Sequence, residues 1–100
     1  MRLTYEQTRI LRDIVHDLAG NEAEIRVFGS RLDDSRRGGD LDILVITTQP
    51  LPRLTLAEIK YALEQALYLP VDILNYTQGQ PPTPFQAIAL SQAQPLDDAA

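Results

Sequence analysis

The sequence predicts a small α+β fold, an α/β two-layer arrangement in which a mixed β-sheet carries helices mainly on one face. Three observations predict it. Thr4-x-x-Gln7, Thr55-x-x-Glu58 and Thr83-x-x-Gln86 each have the form of a capping box that starts a helix. Short runs rich in Val, Ile and Leu, bounded by Gly, Pro or Asp, lie between those helices and read as strands. The resulting order is α-β-β-α-β-α, with no internal repeat and no low-complexity segment.

The first helix is expected from about Tyr5 to Ala19, because Ile10, Leu11, Ile14, Val15 and Leu18 recur at helical spacing until Gly20. Ile25, Val27 and Phe28 then mark a short strand stopped by Gly29. Leu41 to Thr47 is apolar at nearly every position after its opening carboxylates, as a central strand requires. Pro50 and Pro52 break the chain. Thr55 and Glu58 are expected to cap a second helix whose buried stripe is Leu56, Ile59, Leu63 and Leu67, ending before Pro70. Val71 to Leu74 reads as the third strand and Gln78 to Pro82 as a loop. Thr83, with Pro84 at the first helical position, starts a final helix through about Gln92. The end, Leu96-Asp97-Asp98-Ala99-Ala100, is expected to fray, with the domain taken as 1–96 and the tail as 97–100.

Topology follows from chemistry and handedness. If the end of the first strand and the start of the second serve one site, the two strands run antiparallel. A helix joins the second and third strands, and a right-handed crossover makes those two parallel. Asp72 then falls on the same sheet edge as Asp40 and Asp42.

The 100 residues suffice for one domain with one core, leaving no room for a second substrate-gripping domain. Fourteen acidic against nine basic residues give a formal charge of -5, which argues against general nucleic-acid binding, since phosphate backbones are held by Lys and Arg. Without cysteine there is no disulfide, thiol chemistry or thiolate zinc site. The N-terminal stretch lacks the apolar core of a signal peptide and no run approaches membrane-spanning length, so a cytoplasmic protein without membrane attachment is expected.

The chemistry concentrates in Val27-Phe28-Gly29-Ser30-Arg31 and Asp40-Leu41-Asp42. Residues two apart on a strand share a face, so Asp40 and Asp42 present their oxygens together. Magnesium takes one or two carboxylates plus phosphate oxygens and water, and Asp72 adds a third acid able to hold a second ion and accept a proton from an attacking hydroxyl. Gly29 can take backbone angles closed to other residues and lets a phosphate approach the chain, while Ser30 adds a hydroxyl donor. Taken singly, Gly-Ser is an ordinary turn and Asp-x-Asp an ordinary loop pattern. The ordered set points to function: three repelling acids have a purpose only where cations sit among them.

Gly29-Ser30-Arg31 through Asp40-Leu41-Asp42 resembles the signature of the DNA polymerase beta nucleotidyltransferase superfamily, and the short chain resembles its minimal nucleotidyltransferase (MNT) branch. The resemblance implies that Asp40 and Asp42 ligate metal, that Asp72 is the third catalytic and metal-binding carboxylate, and that Gly29, Ser30 and Arg31 hold the nucleoside triphosphate. It implies two Mg2+ ions, ATP as substrate, and transfer of AMP to an acceptor hydroxyl with release of pyrophosphate. It also implies a partner, since MNT proteins commonly pair with a HEPN-domain protein in toxin-antitoxin modules; the acceptor is then a hydroxyl of that partner. Gly38-Gly39 departs from the family, standing where relatives often carry Pro, Asp or Ser.

The alternative is a catalytically weak or inactive binding module that neutralises a HEPN partner by contact alone. Transfer to a small molecule such as an aminoglycoside is disfavoured by the missing substrate domain. Arg36 and Arg37 lie in the loop expected to face the triphosphate and read as solvated charges partly balanced by Asp33 and Asp34, or as phosphate partners. His16 reads as a surface residue, since no second His or Cys completes a metal site. Tyr5, Tyr61, Tyr68 and Tyr76 read as packing residues with polar tips. Leu51, Leu67, Tyr68 and Leu69 fit either a homo-oligomer or partner surface or an ordinary core.

Overall fold

Thr4 opens the chain's first helix with a reciprocal cap: its hydroxyl accepts from the Gln7 amide while the Gln7 side chain accepts from the Thr4 amide. The computed structural model describes residues 3–29 and 40–96. Helix α1 spans Tyr5–Ala19 and ends at Gly20, whose positive φ suits glycine. Strand β1 (Glu24–Phe28) and strand β2 (Leu41–Thr47) pair antiparallel. Helix α2 (Arg53–Leu67) crosses to strand β3 (Val71–Thr77), which pairs parallel with β2. Helix α3 (Pro84–Gln92) follows, and a two-residue strand β4 (Gln94–Pro95) closes the order.

The sheet order is β3-β2-β1-β4, so β2 is central and, as its composition predicts, buried on both faces beyond Asp42. Leu11 and Val15 of α1 and Ile59, Leu63 and Leu67 of α2 pack with Val27, Ile43, Val45 and Val71 on one face. The other face is covered by α3, with Ala89 against Phe28, Leu44 and Ile46. Two of three helices thus share a face, and the α+β expectation matches the architecture.

Several expectations need correction. The Thr55 capping box does not form: α2 begins three residues earlier, with Pro52 as N-cap and no side-chain cap, which leaves Thr55 inside the first turn. Strand β3 runs on to Thr77, where its parallel pairing with β2 ends. Leu96 is no part of a frayed end; it is only 5% exposed and belongs to the main core, delivered there by the antiparallel pairing of β4 with Arg26 and Val27. Residues 97–100 lie outside the described residues.

Among the tyrosines, Tyr76 packs against the α3 side of the sheet, but Tyr5, Tyr61 and Tyr68 are exposed. Leu51 and Leu69 pack on the core and Leu67 lies within it, so of that group only Tyr68, at 90% exposure, faces water. His16 is half-buried, its Nε2 3.1 Å from the Ala23 carbonyl, and ties the end of α1 to the entry of β1.

Side-chain caps distinguish the helix starts thermodynamically. Thr4→Ala and Thr83→Ala are each expected to cost about 1 kcal/mol, whereas Thr55→Ala should stay within about 0.5 kcal/mol of the parent. Urea denaturation of the three variants measures the contrast.

Candidate functional site

Alternation along the strands decides which way the acids face. Leu41, Ile43 and Val45 enter the core under α1 and α2, so Asp42, Leu44 and Ile46 lie on the opposite face. On β3 the same parity puts Asp72 with Leu74 and Tyr76 on that second face. Asp42 is the direct register partner of Asp72 on one side and of Phe28 on the other. A row of Phe28, Asp42 and Asp72 therefore crosses three strands at one edge, and Asp40, exposed, immediately precedes β2.

The two partnered carboxyls approach within hydrogen-bonding reach, and partial burial raises the Asp42 carboxyl above its ordinary value. The charges of Asp72 and then Asp40, with the hydrogen bond to Asp72, push it further in the same direction. Gly29, at φ 79°, sits directly over this carboxylate: a Cβ added there would overlap the Asp42 carboxyl oxygen. Glycine is needed here on two grounds, backbone angle and space. Sequence reasoning anticipated the first; the close approach to Asp42 is a tertiary fact.

Lys60 and Glu64 of α2 join the cluster, and sequence reasoning missed both. The Lys60 ammonium donates to Glu64 Oε2 at 3.1 Å and to the Val71 carbonyl, and lies 4.0 Å from Asp72 Oδ1. Glu64 Oε2 also accepts from the Val71 amide at 2.9 Å. That bond and Lys60 hold the Glu64 carboxyl below its ordinary value. The visible signal was the i,i+4 spacing of Lys60 and Glu64, but an exposed helix pair is common, and only the fold reveals that it grips the first residue of β3, next to Asp72.

Ser30, Arg31, Arg36 and Arg37, expected at the triphosphate or its loop, lie outside the described residues. Among the described residues no group of three acid, imidazole or thiol side chains closes around one point to hold a metal ion. The donor set nonetheless fits magnesium: hard carboxylate oxygens, two of them convergent, which is the number that ion takes from protein when phosphates and water complete its shell. Asp40 adds negative charge to the same edge.

The nucleotidyltransferase domain model matches residues 8–94, which spans α1 through the start of β4 and includes every described acid of the cluster. The chain belongs to the nucleotidyltransferase domain family. A solved structure described as a minimal nucleotidyltransferase is 32% identical, covering 93% of this chain and 96% of that one with a TM-score of 0.64. A mutant MntA–HpeT toxin–antitoxin crystal structure, with two aspartates two residues apart replaced by glutamate, aligns at TM-score 0.70 and 21% identity over 90% of this chain and 70% of that one. A tri-AMPylated Shewanella oneidensis HEPN toxin in complex with its MNT antitoxin aligns at TM-score 0.60 and 22% identity over 89% and 71% of the two chains. No curated protein matches the chain. This nucleotidyltransferase thus shares its fold with the minimal branch that its Gly-Ser and Asp-x-Asp segments resemble.

Gly29→Ala is expected to lower the melting temperature, combining a left-handed backbone cost of about 1–2 kcal/mol with displacement of Asp42. Asp42→Asn should do the opposite at neutral pH. A carboxyl whose folded value is raised gives its stabilisation below the ordinary carboxylate range and loses it as pH rises through the folded value. Removing that charge therefore raises the melting temperature at neutral pH, with a gain that vanishes in acid. Glu64 has the reverse sign: its contribution is complete above the ordinary value of 4.5 and is lost as pH falls through the lowered folded value. Glu64→Gln should be less stable than the parent at neutral pH, with a difference that shrinks as the pH falls below the ordinary carboxylate range, compared by denaturant midpoints.

Proposed function

We propose that this nucleotidyltransferase transfers AMP from ATP to a hydroxyl of a HEPN-domain partner, acting as the antitoxin of a toxin–antitoxin pair. The observation that carries the reading is the register pairing of Asp42 with Asp72, with Gly29 packed directly against the Asp42 carboxylate. The fold neighbours support it: one is a toxin–antitoxin structure with AMP-PNP, at TM-score 0.66 and 21% identity over 85% of this chain and 71% of that one. Another holds an AMPylated HEPN toxin. The paired aspartates altered in a third have the spacing of Asp40 and Asp42.

Asp40, Asp42 and Asp72 would hold two magnesium ions, which supply charge neutralisation for the incoming and leaving oxygens of an in-line displacement. The chain's own groups do the rest. Gly29 lets the chain turn against the Asp42 carboxylate, and Ser30 and Arg31, by their place in the motif, are assigned to the anionic oxygens of the phosphate tail. Asp72 takes the proton of the acceptor hydroxyl as that oxygen bonds to the α-phosphorus. The bond from the α-phosphorus to its bridging oxygen breaks, and pyrophosphate leaves. Lys60, 4.0 Å from Asp72, steadies that carboxylate on the edge of the sheet.

The rival reading is a domain that neutralises its partner by contact alone, with no nucleotide transferred. Labelling separates the two. Incubated with α-labelled ATP, magnesium and the HEPN partner, the parent is expected to transfer label to the partner, and Asp42→Asn to reduce transfer by at least about a hundredfold, in the range of losing a principal electrostatic group. Chelation of the metal should abolish it. Tight partner binding with no label from the parent would establish the contact-only reading instead.

A further inference from the structure

We infer that Phe85, mounted on Phe28, forms the nucleobase subsite of the carboxylate centre; the inference rests on the nucleotide reading above and deepens it. Phe28 stands beside Asp42 in the row that ends at Asp72, on the face crossed by α3. The Phe85 ring meets the Phe28 ring edge-on, with centroids 6.3 Å apart and planes at 73°. The two rings differ in exposure: Phe28 is buried, whereas Phe85 is 59% exposed. Ile88, three residues further along the same helix, is 53% exposed and extends the apolar wall.

An exposed ring one side chain away from the carboxylates that would hold a triphosphate through magnesium is placed for the other end of a nucleotide. Ring and helix are fixed before any ligand arrives. Thr83 and Gln86 form a reciprocal cap at the start of α3, and the Gln86 side-chain amide donates to the Asn75 carbonyl of β3 at 3.1 Å. A ring held that way loses little freedom when a flat partner stacks on it. A base, tethered through its ribose to phosphates held at Asp42 and Asp72, meets the requirement for a planar apolar face. Stacking accepts any base, so this subsite strengthens nucleotide binding without selecting strongly among bases.

Calorimetry with AMP-PNP and with inorganic tripolyphosphate, each with magnesium, tests the assignment. The parent is expected to prefer AMP-PNP. Phe85→Ala should weaken AMP-PNP binding about 5- to 100-fold and leave tripolyphosphate binding unchanged. Phe85→Leu keeps apolar cover on Phe28, and hence the melting temperature, but should lose the preference as well; Phe85→Trp should retain it. If the Ala and Leu variants keep the parent's preference for AMP-PNP, the subsite is wrong while the nucleotide reading stands. A parent that binds neither ligand overturns both. Unchanged AMP-PNP affinity with lost HEPN binding would give this face to the protein partner and overturn the subsite.

Discussion

Two like charges held side by side at one edge of a sheet are the constraint around which this protein is built. At an effective dielectric of about 20, two carboxylates 4 Å apart repel by about 4 kcal/mol, whereas complete burial of one Leu or Ile side chain contributes about 1.5–3 kcal/mol. The strand carrying Asp42 continues into Leu41, Ile43, Leu44 and Val45, all fully buried. A few of those residues outweigh the repulsion. The acids can be held together because the central strand behind them is so firmly packed, and the Lys60–Glu64 clamp on Val71 fixes the neighbouring strand at the residue before Asp72.

The family relationship and the geometry bear on different parts of the problem. Membership, through residues 8–94, places the chain among nucleotidyltransferases. The placement of Asp42 and Asp72 as register partners, with Gly29 pressed against the first of them, is the chain's own structure. The α3 helix separates this small domain from a bare sheet: it covers the acid-bearing face beyond the carboxylates and brings an aromatic ring to their border.

Much of the fold was legible in the sequence because local and tertiary signals agreed. Thr4 and Thr83 start their helices as the capping pattern predicts, and β2 has the predicted bounds. The placement of Asp72 on the same sheet edge as Asp42 was readable because a strand–helix–strand crossover makes the two strands parallel; that the two acids are direct register partners was not. Where local patterns compete, reading failed. Pro52 starts α2 ahead of the plausible cap at Thr55. A two-residue strand containing Pro95 carries almost no strand signal, so β4 and the burial of Leu96 went unread. Tyr61 and Tyr68 look like packing residues until the fold turns them outward. Lys60, Glu64 and Phe85 became neighbours of the acids only through tertiary contact, which spacing along the chain does not encode.

The alternation on β2 and β3 has one further result. Leu41 faces Val71 and Ile43 faces Ile73 across the acid pair, all of them on the opposite face. Sliding one strand past the other by a single residue would drive an acid into the oily layer beneath α1 and α2 and turn an aliphatic side chain out to water. The same two aspartates that crowd the sheet edge therefore also set its frame against a one-residue slip, since that pairing would bury a charge in place of an aliphatic side chain.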